Sequence, residues 1–275
     1  MELRNIQRSG STHYVYLPAQ WCKENSISLD SKVELNVSPD GKLMLSVFGT
    51  EKPKESLIIN VPDGDARFVN NYIKAAFLNP LKSFKIKLNK DINPSDILRF
   101  KEHMGGIDFV EFNNKEITCE SPTYSEEPDV LLSMIVRKML SMINLIIENH
   151  NKELVERYEE EIDKNNISIR KSAMGTLTFK RPSKLKHIEL FYIVEISAQL
   201  EKIADHVVKG DLSKEELKHL SEILRLIQKV MNNSNIEACK TFFNLIHEKE
   251  MKRIHNHLNT ISDVFIDWSI TKMIL

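Results

Sequence analysis

Glu201 and Asp205 are four residues apart, so on a helix both carboxylates project from one face and could share a cation. Asp263 and Asp267 repeat the spacing late in the chain. Where 28% of residues are charged, such pairs also arise by chance, and Glu156/Glu160 and Glu159/Asp163 are two more; a solvated acidic helix face is therefore the competing reading. His206, His247, His255 and His257 gather in the last third. They are expected to be structural or surface histidines and not ligands. No serine-hydrolase elbow, zinc-protease helix, Walker loop or glycine-rich dinucleotide fingerprint occurs. Cys22, Cys119 and Cys239 are scattered without zinc spacing and read as reduced thiols. The expectation is a protein that is not an enzyme.

A different chemistry is open to the first residues. Arg4, Arg8 and Lys23 stand against a single acid, Glu2, within residues 1–23. Arg4 and Arg8 are an even number apart on one expected strand, so they are expected to face the same side, and a dimer doubles that stripe into an array suited to phosphates. Residues 1–60 as a whole balance seven bases against seven acids, which also fits an ordinary small β domain. The full chain carries 38 Lys+Arg and 39 Asp+Glu, which excludes a bulk polycation that coats nucleic acid or membranes.

Three textures must position these residues within 275 positions. Up to Phe48 the pattern is short alternating runs, Arg4–Arg8 and His13–Leu17, then a helix over Ala19–Asn25 behind Pro18. A hairpin of Val33–Ser38 and Lys42–Phe48 follows, around Pro39-Asp40-Gly41. Beyond a polar linker, Thr50–Ser56, the order βαβαββ is expected: strands at Leu57–Val61 and Phe84–Leu88, a helix over Ala66–Phe77, a second opened by Asn93-Pro94, and a hairpin turning at Asn113-Asn114. After Ser121-Pro122-Thr123 the period is helical throughout, with helices over Val130–His150, Lys152–Lys171, His187–Lys209, Ser213–Met231 and Asn235–Ile270, the last broken near His247–Arg253. The basic run Lys180-Arg181-Pro182-Ser183-Lys184 is the longest interhelical loop. Leu200, Ile203 and Asp205 recur in spacing as Leu258, Ile261 and Asp263, hinting at two related halves.

Hydrophobic residues make up 41%, enough for a sizeable core, and only 8 glycines argue against nucleotide-binding α/β folds. The most apolar stretch, Val130 to Ile147, is interrupted by Arg137, Lys138 and Asn144 and reads as a bundle helix, not a membrane span. With no apolar signal core at the start, the chain is expected to be cytoplasmic.

The wording of two segments resembles known families. Ile6-Gln7-Arg8-Ser9-Gly10-Ser11-Thr12, Val15-Tyr16-Leu17-Pro18-Ala19-Gln20-Trp21 and Val33-Glu34-Leu35 resemble the AbrB/SpoVT-type swapped-hairpin domain, with one glycine in the turn and Asp30-Ser31-Lys32 where Gly-Asp is usual. The resemblance implies a β-barrel interlocked from two chains that binds double-stranded DNA, here through Arg4, Arg8, Ser11, Thr12 and Lys23. Leu200-Glu201-Lys202-Ile203-Ala204-Asp205-His206-Val207-Val208 resembles the phosphate-uptake regulator (PhoU-like) family. It implies acidic pairs on neighbouring helices that hold a divalent metal (Mg, Mn, Fe or Zn). Glu201 and Asp205 match that motif, with Asp263 and Glu161 as further ligands; Asn259 and Asn165 stand where the pattern has acids. The combination resembles an archaeal regulator architecture.

The resulting expectation is a multidomain α+β chain: a swapped-hairpin β-barrel head over 1–50, a βαβαββ domain over 55–121 and a PhoU-like helical bundle over 125–275. Its expected role is a homodimeric, DNA-binding transcriptional regulator of phosphate uptake. The alternative is an adaptor that does not bind DNA and regulates a phosphate transporter or signalling kinase by protein contact.

Overall fold

The structure is a computed structural model that describes residues 4–37, 43–47, 56–62, 65–79, 81–93, 95–98, 104–121, 127–148, 151–179, 184–232 and 235–274. The turn expected at Pro39-Asp40-Gly41, most of the linker Thr50–Ser56 and the loop residues Lys180–Ser183 lie outside these. The chain divides into two compact units, Met1–Lys52 and Pro53–Leu275.

In the first unit, β1 (Gln7–Ser9) and β2 (Thr12–Tyr14) form an antiparallel hairpin. Gly10 takes φ +60°, which its missing Cβ makes cheap, and Arg8 Nε donates to its carbonyl at 2.7 Å. The strand begins at Gln7, so Arg4 precedes it, and strand alternation does not set Arg4 and Arg8 on one face. Helix α1 (Ala19–Glu24) starts directly after Pro18, which serves as its N-cap. β3 (Val33–Val37) and β4 (Leu43–Val47) pair with Val33 opposite Val47, Leu35 opposite Leu45 and Val37 opposite Leu43. Period two puts these six apolar residues on one face of the ribbon. No described side chain in this unit is buried. A single chain thus forms two separate two-stranded sheets among its described residues, and the expected barrel is not closed within it.

The second unit opens with a four-stranded sheet, ordered β5-β6-β8-β7, from β5 (Ser56–Val61), β6 (Ser83–Leu88), β7 (Asp108–Phe112) and β8 (Glu116–Glu120). β5 and β6 are parallel, joined by the crossover helix α2 (Ala66–Leu78), and β6, β8 and β7 are antiparallel. Asp65 caps α2 by accepting from the Arg67 and Phe68 amides at 2.7 and 3.4 Å. Asn113 Oδ1 accepts from the Lys115 and Glu116 amides, closing the β7–β8 turn. Alternation along β6 buries Phe84, Ile86 and Leu88 against Val69, Ile73 and Phe77 of α2.

Six long helices follow: α3 (Pro128–Ile147), α4 (Lys152–Phe179), α5 (His187–Val208), α6 (Lys214–Asn232), α7 (Ile236–Glu248) and α8 (His255–Ile274). The break expected near His247–Arg253 is present, with Met251 and Ile254 of the connector buried. Helix α4 runs eight residues past its expected end. Ala173 and Thr176 are buried, so packing holds the helix through Gly175, whose propensity cost is about 1 kcal/mol. By length and composition alone, helix α3 is long and apolar enough to cross a membrane. Its Leu132, Ile135, Val136, Met139, Met142 and Ile143 are instead fully buried in the bundle core, against α4, α5 and α6.

Sheet and bundle are joined through α4. Ile167 projects out of that helix into the core of the sheet layer, while Ile162 and Ile169 of the same helix lie in the bundle core. One turn beyond Ile167, Lys171 donates to the buried Ser121 and sits 3.8 Å over the Phe77 ring. Ile167→Ala should cost about 2–4 kcal/mol. Hydrogen exchange should show protection falling more in β5–β8 than in α3 and α5.

Candidate functional site

The i,i+4 spacing that sets Glu201 and Asp205 on one face of α5 does the same for Glu159 and Asp163 on α4, and the packing of α4 on α5 brings the two pairs together. Leu200, Ile203 and Ala204 are buried in the core, which fixes the rotation of α5 and leaves Glu201 and Asp205 half-buried at the seam. Burial pushes the Glu201 carboxyl above the usual carboxylate range, and the negative charges of Asp163 and Asp205 raise it further. Glu159 is raised in the same way, by burial first, then by Asp205, Glu160 and Glu201. Positive charge answers from the margins. Lys74 of α2 and Lys202 lower Glu201, and Lys209 lies 3.1 Å from Asp205.

The other two expected ligands lie elsewhere. Glu161 is drawn to α3, where Lys138 bonds it at 3.1 Å and holds its carboxyl below the usual range; Lys164 adds a longer contact at 3.5 Å. Asp263 is exposed on α8. A hard divalent cation takes six or more oxygens. Among the described residues, no three of His, Cys, Asp or Glu are arranged to hold a metal ion, and of the four residues expected to hold Mg, Mn, Fe or Zn the structure brings only Glu201 and Asp205 together. Glu159/Asp163, expected as a chance pair, is the one that meets Glu201/Asp205, and its matching spacing one helix earlier is the sequence signal for it.

The histidines join helices. His257 Nδ1 is 2.7 Å from Gln199 Oε1, linking α8 to α5, and its ring lies 6.0 Å from His206, which meets Asp211 at 2.7 Å. Burial, then the charges of Lys202 and His206, push the His257 imidazole below its usual range. His247 stacks on Phe243 and meets His255 edge-on at 5.4 Å. His219, which the sequence did not single out, bonds the Leu245 carbonyl at 3.0 Å across α6 and α7. The five residues expected to meet DNA are all exposed: Arg4 before β1, Arg8, Ser11 and Thr12 on the first hairpin, and Lys23 in the last turn of α1.

Residues 130–210 match the family model described as PhoU domain, a stretch that spans nearly all of α3, then α4 and α5, and contains the whole acidic seam. No curated protein and no solved structure matches the chain. The match makes the helical region PhoU-like and fits phosphate-uptake regulation at the level of the family.

The seam stores like-charge repulsion, with a sign that can be checked. A carboxyl whose folded pKa is raised binds more protons folded than unfolded, so its favourable contribution is complete below the unfolded value of 4.5 and is lost as pH rises through the folded value. Glu201→Gln should therefore raise Tm at pH 7 by about 1–2 °C, for roughly 0.5 kcal/mol of charge-burial cost and solvent-screened repulsion removed. The gain should vanish below pH 4.5 in a thermal-melt series.

Proposed function

We propose that this chain is a homodimeric, non-enzymatic regulator of phosphate uptake that docks a protein partner through its helical part. The observation that carries the reading is the PhoU match on α3–α5. Support for the dimer comes from the first unit. The β3–β4 ribbon turns Val33, Leu35, Val37 and Leu43 outward at 38–73% exposure, with Leu45 and Val47 half-exposed beside them. A two-stranded ribbon with an open apolar face is marginal alone. Burying a large aliphatic side chain stabilises by about 1.5–3 kcal/mol, and a second copy offers the same face in return. The swapped-hairpin resemblance of residues 6–21 and 33–35 points to the same partner. Leu35→Glu/Leu43→Glu should convert the full chain from dimer to monomer in sedimentation. In cells it should reproduce the phosphate-uptake phenotype of deleting the gene, while normal uptake control by a monomeric variant would remove the dimer from the mechanism.

A second reading, favoured by the exposure of all five residues, is that the dimeric head binds duplex DNA through Arg4, Arg8, Ser11, Thr12 and Lys23. Two chains then lose four charges in Arg4→Ala/Arg8→Ala, and the slope of log K against log salt should flatten by about 3–4. An unchanged slope places any DNA contact elsewhere and leaves the adaptor reading alone.

A further inference from the structure

Two imidazoles meet where α8 packs on the last turns of α5. His257 of α8 and His206 of α5 have ring centres 6.0 Å apart, with their planes tilted by 38°. Leu200 and Ile203 of α5 and Leu258 and Ile261 of α8, all fully buried, hold the two helices in this register. The His206 side chain keeps 27% exposure, so the pair opens to solvent.

Hydrogen bonds fix which nitrogen of each ring is free. Gln199 Nε2 donates to Glu195 Oε1 at 2.8 Å, which orients the amide and leaves Gln199 Oε1 to accept. His257 Nδ1, 2.7 Å from that oxygen, therefore carries the proton. The Asp211 carboxylate also only accepts, and its bond to His206 holds it below the usual carboxylate range. Nδ1 of His206 therefore carries the proton in that 2.7 Å contact. In both neutral rings the lone pair is on Nε2, and among the described residues neither Nε2 has a hydrogen-bond partner. Gln199 precedes His206 by two turns on α5 and Asp211 follows it. The rings are thus tied at opposite ends, and their free nitrogens turn toward the gap between them. Asp211 is itself fixed, its amide donating to the His206 carbonyl at 3.1 Å just beyond Gly210, which takes φ +75°.

We propose that His206 and His257 form a two-histidine site for a transition-metal ion of the zinc class, bound through both Nε2 atoms. Imidazole nitrogens suit Zn, Cu, Fe and Ni and not Mg or Ca. An ion about 2.0–2.1 Å from each nitrogen sets two ring centres roughly 6 Å apart, the separation seen here. Histidines that ligate metals donate the other ring N–H to a carboxylate or another oxygen, which orients the ring and raises its basicity. Asp211 does this for His206 directly, and Glu195 does it for His257 through Gln199. Burial, then the charges of Lys202 and His206, favour the neutral form of His257, the form that binds metal. Lys202 and Arg253 oppose a cation; the carboxylates of Asp211 and Glu195 and the negative end of α5 offset them. Among the described residues no third His, Cys, Asp or Glu is arranged with the pair to hold an ion, so water completes the shell. The site is separate from the acidic seam, which faces α4, and is independent of the phosphate-uptake reading.

The test is calorimetric titration of the chelator-treated full chain with Zn²⁺, with Co²⁺ as a spectroscopic probe. One Zn²⁺ per chain is expected, undisturbed by excess Mg²⁺, and Co²⁺ should give the visible absorption of a nitrogen-ligated ion. His206→Gln/His257→Gln should abolish binding with circular dichroism unchanged. Gln199→Leu leaves both ligands in place and should weaken binding by about 10–100-fold. Glu201→Gln/Asp205→Asn should bind as the parent does. Zn²⁺ should also raise the Tm of the parent and not that of the double histidine variant, because the ion ties α5 to α8. No Zn²⁺ binding, binding that survives loss of both histidines, or binding removed by Glu201→Gln/Asp205→Asn would each overturn the proposal.

Discussion

Helix α4 is the constraint on which the second unit depends, because one helix has to satisfy two hydrophobic cores at once. Ile162 and Ile169 point into the bundle and Ile167 into the sheet layer. A residue five or seven positions along turns through about 140° or −20° on a helix, so the two demands fix the rotation of α4 within narrow limits. Every other position on it then has a determined neighbour. Glu161 must face α3 and find Lys138, Glu159 and Asp163 must face α5, and Lys171 must reach Ser121 and Phe77.

The acidic seam is a consequence of that rotation. Four carboxylates at one helix contact repel each other, and burial removes the water that would screen them. The fold tolerates this because Lys74, Lys202 and Lys209 stand at its margins and because the residues between the carboxylates are deeply buried. Lys74 comes from the sheet layer, so the charge balance of the bundle draws on α2 as well. The seam lies wholly inside the stretch that matches the PhoU domain.

The first unit works under the opposite constraint. It has too few residues to build an interior, and no described side chain in it is buried. The apolar residues of its β3–β4 ribbon stand exposed, whereas the second unit encloses its own two cores.

Much of the architecture was legible from period and punctuation alone. Helical spacing made the six bundle helices and the break before α8 legible, because the charged pairs Lys249-Glu250 and Lys252-Arg253 interrupt the stripe that Phe242 and Ile246 begin. Period-two runs and Asn113 gave the strands and turn of the sheet, because a turn needs only local hydrogen bonds. Spacing also gave both acidic pairs, since i,i+4 is a property of one helix. Which pairs meet was beyond it, because the rotation of α4, which turns Glu161 to Lys138 and Glu159 and Asp163 to α5, is set by contacts with two distant layers. The length of α4 was hidden for the same reason, Gly175 being held by buried neighbours and not by its own propensity. The sequence by itself determined which residues form each element and which faces are apolar. Only the tertiary structure decided which face meets which, because that choice depends on packing between segments whose separation in the chain carries no local signal.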